Sequence, residues 1–239
     1  MNLKATLCDI KIKNPTMLAS GMPLSESPYG LKHWEETEIG VLTTKGITLD
    51  EKSCNKVDYD KREIILIRGQ DYSINSMGLP NKGAWWLHTN LKKYKYNIPV
   101  FANIATGTGE LIEYPAIIMV LEDAVDGFEV NVSCPNTGKD IIGYDLKSLE
   151  QVVSSINTKK PVSIKLPCYY DKGSLRKLKL EADNFTRTWL GKEYVEVYIP
   201  EQLNLTMLNK VLDLLEDYNI KCVTSHNTIL VKHPLLSTG

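Results

Sequence analysis

The sequence predicts an α/β fold built on a parallel sheet. Six short apolar runs read as buried strands, and segments with apolar residues at helical spacing separate them. The polar and reactive residues gather where those strands end. At 239 residues the chain has room for one α/β barrel or two small domains.

Taken in order, residues 7–12 read as a short hairpin strand. Met17-Leu18-Ala19-Ser20-Gly21 is a buried strand ending in small residues. Ser27-Pro28 then offers an N-cap and a first helical residue with preset φ, so a helix is expected through Glu38. Val41-Leu42-Thr43-Thr44-Lys45 is the second strand and residues 98–104 the third, which ends before the turn-prone Thr106-Gly107-Thr108-Gly109. Residues 128–132, 162–166 and 220–224 are the fourth, fifth and sixth. Leu146, Leu149, Val152, Val153 and Ile156 fall on one helical face, as do Leu205, Leu208, Val211, Leu212 and Leu215. Helices between strands argue for right-handed βαβ units. Two stretches break the alternation: a charged excursion at 51–71 containing Ile64-Ile65-Leu66-Ile67, and a polar insertion at 171–200 containing Thr188-Trp189-Leu190 and the run 194–199.

The bulk numbers exclude some classes. A net charge of −1 gives no electrostatic reason to expect nucleic acid or an anionic membrane as partner. No apolar run reaches the ~18 residues that span a bilayer, and Met1-Asn2-Leu3-Lys4-Ala5 lacks a signal-peptide core. The five cysteines, at 8, 54, 134, 168 and 222, are odd in number and contain no Cys-x-x-Cys pair. A disulfide framework or zinc site is therefore not expected, and a reducing cytoplasm is the default.

Loops converge at the C-terminal ends of parallel strands, and the candidate residues sit there. Ser133-Cys134-Pro135-Asn136 follows the buried run Gly127-Phe128-Glu129-Val130-Asn131-Val132. A cysteine titrating near ~8.5 has a small thiolate fraction at neutral pH, which suits a base for a weakly acidic carbon proton. Cys8, Cys54, Cys168 and Cys222 read as small buried hydrophobes. Lys45 and Lys165 end buried strands, where an ammonium is costly unless it meets an anion or acceptor. Asn75, Asn131, Asn136 and Asn227 offer paired donors and acceptors suited to a pyrimidine-like edge and a carboxylate. Gly78, between Met77 and Leu79, allows close backbone approach. Trp85-Trp86 are expected to pack a helix, and His33 and His88 to lie on helix surfaces.

The segments Ser73-Ile74-Asn75-Ser76-Met77-Gly78-Leu79-Pro80-Asn81 and Ser133-Cys134-Pro135-Asn136 together resemble the active site of class 1 dihydroorotate dehydrogenases. The likeness is strongest to the fumarate-using class 1A, and Ala19-Ser20-Gly21, residues 44–52, Lys165-Leu166-Pro167 and residues 223–229 support it. It implies a single FMN-binding (β/α)8 TIM-type barrel domain over residues 1–239, here lacking the last one or two βα units. It further implies that Cys134 removes the C5 proton of dihydroorotate while hydride leaves C6 for the flavin, giving orotate for pyrimidine synthesis. Ala19, Ser20, Gly21, Lys45, Gly46, Asn103, Asn131 and Lys165 would line FMN. Lys45, Asn75, Met77, Gly78, Leu79, Asn131, Asn136, Asn227 and Thr228 would hold the substrate. Fumarate is the implied electron acceptor, and a homodimer or a completing second chain the implied assembly. A dihydropyrimidine-type dehydrogenase and a flavin-free binding protein on a remnant barrel are the alternative readings.

Overall fold

In the computed structural model, the described residues are 3–56, 66–68 (backbone only), 72–135, 140–182, 184, 187–188, 191, 193–225 and 227–228. Asn136, His226, Trp189 and most of the 51–71 excursion lie outside them. The chain divides into two compact units. One comprises residues 1–52, 81–167 and 209–227, the other residues 53–80, 168–208 and 228–239.

The first unit opens with a hairpin of β1 (Ala5–Leu7) and β2 (Ile10–Ile12). Its core is a five-stranded parallel sheet of β3 (Leu42–Thr43), β6 (Val100–Ile104), β7 (Gly127–Asn131), β8 (Val162–Lys165) and β11 (Cys222–Thr224). These strands lie side by side in chain order. That succession marks a (β/α) barrel; a doubly wound sheet reverses its order part-way. Met17 adds a parallel bridge to Val41, so the expected first strand is reduced to a single pairing.

The helices follow from local chemistry. The Ser27 side chain accepts from the Gly30 N–H and Pro28 occupies the first turn of α1 (Pro28–Glu35). This helix stops short of the expected Glu38, because the Glu36 and Thr37 N–H groups close the last turn on His33 and Trp34. Asp145 caps α4 (Leu146–Ser155) through the Ser148 N–H, and its apolar face buries Leu149, Val152 and Val153. Two further helices, α2 (Ala84–Leu91) and α3 (Glu113–Leu121), flank β6 in sequence and pack on each other, with α3 also against β6. Trp85 lies exposed on α2, which departs from the expectation that it packs the helix. His88, on the same helix, pairs with Asp123 at 2.8 Å. The helix α5 runs over Leu205–Asp217 and buries Val211 and Leu215.

The β1–β2 hairpin packs Ile12 on Val41 and Phe101, with Ala5, Leu7, Ile10 and Met17 around them. Its turn carries Cys8 and Asp9 in the left-handed region, at φ 46° and 69°. Cys8 is joined to Cys222 at the start of β11, and Asp9 pairs with Lys221 at 2.9 Å. The disulfide corrects the expectation that the cysteines are unpaired small hydrophobes. Cys54, which is exposed, and Cys168, which is half-buried, also depart from that reading.

In the second unit β4 (Leu66–Arg68) pairs antiparallel with β5 (Ser73–Asn75). The expected polar insertion is a long antiparallel hairpin of β9 (Leu175–Glu181) and β10 (Tyr194–Pro200). The alternation along Tyr194-Val195-Glu196-Val197-Tyr198-Ile199 explains it: Val195 and Val197 are buried against Tyr72 and Ile74 while Tyr194 and Tyr198 are exposed. Among the described residues, no helix is long and apolar enough to cross a membrane.

Candidate active site

Side chains paired across parallel strands share a face, so register fixes what the sheet's two faces carry. One face bears Leu42, Val100, Ala102, Ile104, Phe128, Val130 and Ile164, all buried, and it is wholly apolar. The other face changes character along the strands. Near their start Phe101 pairs with Gly127, where a Cβ would come within 2.6 Å of the Phe101 ring. One step on, Asn103, Glu129 and Ser163 lie in register. At the strand ends Asn131, Lys165 and Thr224 do. A packed apolar floor thus rises into two polar layers at the end where a barrel carries its chemistry.

The polar layers are hydrogen-bonded as a unit, as buried polar groups must be. Asn103 donates through Nδ2 to Glu129 Oε1 at 2.5 Å, and Thr224 Oγ1 donates to Glu129 Oε2 at 2.6 Å. Lys165 Nζ donates to Ser20 Oγ at 2.8 Å and lies 4.0 Å from Glu129 Oε1. Asn131 Nδ2 donates to Asn103 Oδ1 at 3.4 Å. Asn131 Oδ1 accepts from the Ser133 N–H at 3.1 Å and from Ser133 Oγ at 2.7 Å. That last pair shapes the turn that delivers Cys134, a buried thiol only 6% exposed.

Tyr114 of α3 secures the same turn from behind. Its hydroxyl donates to the Asn131 carbonyl at 2.9 Å. Burial, and then the neighbouring Cys134 sulfur, push this hydroxyl far above its usual 10.0. It therefore stays protonated, and a donor, throughout the physiological range. The folded state keeps this proton where the unfolded chain releases it, so stability is unaffected below about pH 10 and falls above it. The slope from Tyr114 alone is about 1.4 kcal/mol per pH unit. Urea unfolding at pH 8 and above pH 10 measures it, and Tyr114→Phe is expected to flatten that alkaline slope.

The first unit thus holds Ala19, Ser20, Gly21, Lys45, Gly46, Asn103, Asn131, Cys134, Lys165 and Asn227. Lys45 stands half-buried at the end of β3, its N–H bonded to the Ser25 carbonyl. Asn227 donates its N–H to the Leu166 carbonyl after β8. Asn75, Met77, Gly78, Leu79 and Thr228 fall in the second unit and are described within it. There Asn55, which the sequence did not single out, ties down the loop: its N–H bonds the Met77 carbonyl at 2.9 Å and its Nδ2 the Ser76 carbonyl at 2.7 Å. Gly78 has φ +79° and a Cβ there would meet Asn55 Oδ1 at 2.2 Å, so both conformation and space require glycine. Leu79 follows at φ 58°, a strained value for a side-chain-bearing residue.

The family model of dihydroorotate dehydrogenase matches residues 2–234. This chain belongs to the dihydroorotate dehydrogenase family. A curated relative, dihydroorotate dehydrogenase A (fumarate) of Lactococcus lactis subsp. cremoris strain MG1363, is 34% identical over 177 residues, covering 71% of this chain and 54% of the relative. The catalytic subunit of dihydroorotate dehydrogenase B (NAD(+)) of Pyrococcus abyssi is 33% identical over 170 residues, covering 69% and 53%. The corresponding subunit of Caldicellulosiruptor saccharolyticus is 33% identical over 172 residues, covering 70% and 54%. The matched region spans about half the length of these dihydroorotate dehydrogenases.

The residues present fit a flavin. An isoalloxazine edge that gains negative charge on reduction needs a cation and amide donors in a water-poor place. Lys165, 8% exposed, and the buried amide of Asn131, which spends one N–H on Asn103 and keeps the other, are that donor set. Gly21, at φ +89° with nothing within 4 Å of a Cβ, leaves open space next to Ser20, the partner of Lys165.

Proposed function

We propose that this chain carries out the FMN-dependent oxidation of dihydroorotate to orotate in de novo pyrimidine synthesis, with Cys134 as the base. The observation that carries the reading is the placement of the Cys134 thiol, buried at the end of β7 and directly after the layer of Asn131 and Lys165.

FMN, when bound, supplies the acceptor for the hydride that leaves C6 of the substrate. The remaining work falls to the chain's own residues. Cys134 Sγ takes the C5 proton; its burial keeps water from competing for the thiolate. Asn131 presents its second amide N–H, Asn103 orients that amide by accepting from it, and the Tyr114 hydroxyl keeps the Asn131 backbone in place beneath it. Lys165 and Lys45 supply positive charge at the strand ends, which favours an anionic ligand. Ala19, Ser20, Gly21 and Gly46 line FMN with them. Asn75, Met77, Gly78, Leu79, Asn136, Asn227 and Thr228 hold the substrate's ring and carboxylate in this reading, and residues 1–239 act as one FMN-binding domain.

The relatives include a fumarate enzyme and the catalytic subunits of NAD(+) enzymes at nearly equal identity, so identity does not rank these acceptors. Fumarate as acceptor, a homodimer and a cytoplasmic setting complete the proposal. The Cys8–Cys222 bond is the feature that stands against the last of these, since reducing compartments keep thiols free.

The test is a substrate panel on the FMN-loaded chain under anaerobic conditions. Dihydroorotate is expected to bleach the flavin band, and dihydrouracil to leave it unchanged. Bleaching by dihydrouracil alone would assign the site to a dihydropyrimidine-type dehydrogenase.

A further inference from the structure

Glu129 is a carboxylate in the middle strand of the sheet, only 4% exposed. Burying such a group costs several kcal/mol unless donors and a cation compensate. Its place is one layer beneath Asn131 and Lys165, on the polar face. One oxygen accepts from Asn103 Nδ2, the other from Thr224 Oγ1, and the Lys165 ammonium stands at 4.0 Å.

Two consequences follow from these contacts. A carboxylate oxygen can only accept, so Glu129 forces Asn103 to turn its amide nitrogen downward and its oxygen toward Asn131. Asn131 must then use its own oxygen on Ser133, next to Cys134. Glu129 thus fixes the polarity of the amide chain from the floor of the site to the cysteine turn. Its charge also opposes that of Lys165 in a layer with little water to screen either. A ligand that becomes anionic on reduction meets a cation already partly offset from below.

We propose that Glu129 is a positioning residue that limits how strongly Lys165 favours the reduced over the oxidised flavin. The inference rests on the flavin reading above. Its physical logic is turnover: two lysines at the strand ends, with nothing to offset them, hold the reduced cofactor too firmly to pass electrons onward. Glu129 keeps the two redox states closer in binding energy, and does so through Lys165.

The test compares affinities of the full chain for oxidised FMN and for FMN reduced anaerobically with dithionite. Glu129→Gln keeps the shape and removes the charge. It is expected to raise the reduced-to-oxidised affinity ratio about tenfold, equivalent to about 30 mV in a two-electron potential. In a Lys165→Met background the same change is expected to have no effect, because the cation through which Glu129 acts is gone. Thr224→Val, near-isosteric at a half-buried position, removes a donor that favours the charged carboxyl and so weakens the offset, and the ratio rises about threefold. This second variant decides the matter should Glu129→Gln fold poorly. An unchanged ratio in the variants, or a tenfold rise that persists without Lys165, overturns the proposal. A wild-type chain that takes up no FMN overturns the flavin reading and this inference together. FMN uptake with an unchanged ratio overturns this inference alone.

Discussion

Cys134→Ala is expected to leave FMN binding intact and to slow flavin reduction by dihydroorotate by about 10²–10⁴-fold, the range that a positioned general base contributes. The variant removes one sulfur and leaves untouched the two bonds from Ser133 to Asn131 that shape the turn. The Asn131 carbonyl keeps its bond from Tyr114, and Lys165 keeps Ser20. What is lost is the only cysteine thiol in the polar layers at the end of β7 among the described residues. Stopped-flow bleaching of the visible flavin band, compared between wild type and variant at equal FMN loading, measures the loss. A variant that bleaches at the wild-type rate refutes the base assignment while leaving the flavin site standing.

Lys165→Met carries the second large effect. Methionine keeps the apolar stem that packs through β8 and deletes the ammonium. Ser20 then loses its donor and Glu129 the ammonium 4.0 Å away, although Asn103 and Thr224 still bond the carboxylate. Removing one member of a buried pair commonly costs 3–5 kcal/mol, and the two surviving bonds put this case nearer 2–3 kcal/mol, roughly. A lost hydrogen bond to a charged donor is worth about 1.5–3 kcal/mol, so FMN affinity is expected to fall about 10–100-fold. Urea unfolding of the apo chain and an FMN titration report the two losses separately. Unchanged FMN affinity with lowered stability would make Lys165 a structural cation only.

The site was legible in the sequence where chemistry and strand ends coincide. The run from Gly127 to Asn131 is apolar enough to read as a strand, and a cysteine flanked by polar residues directly after it is conspicuous. Lys165 was legible for the same reason. Glu129 was not, because a single charge inside an apolar run carries no sign of its partners; Asn103 and Thr224 lie 26 and 95 residues away in the chain. Tyr114 was hidden in the same way, inside a helix that is apolar on nearly every side. That composition also concealed α3 itself, since Tyr114, Ile117, Ile118, Val120 and Leu121 give no single helical stripe. The Cys8–Cys222 bond joins residues 214 apart, a pairing that spacing rules for small disulfide-rich domains cannot find. The β9–β10 hairpin was legible in principle from its period of two, but its charged outer face made it read as a polar insertion.

The most direct measurement is a visible spectrum of the purified chain with FMN, taken anaerobically before and after dihydroorotate is added. A protein-bound flavin band is expected that bleaches on addition and returns with an acceptor such as fumarate. A bound flavin that dihydroorotate leaves fully oxidised would contradict the assignment of this site to dihydroorotate oxidation.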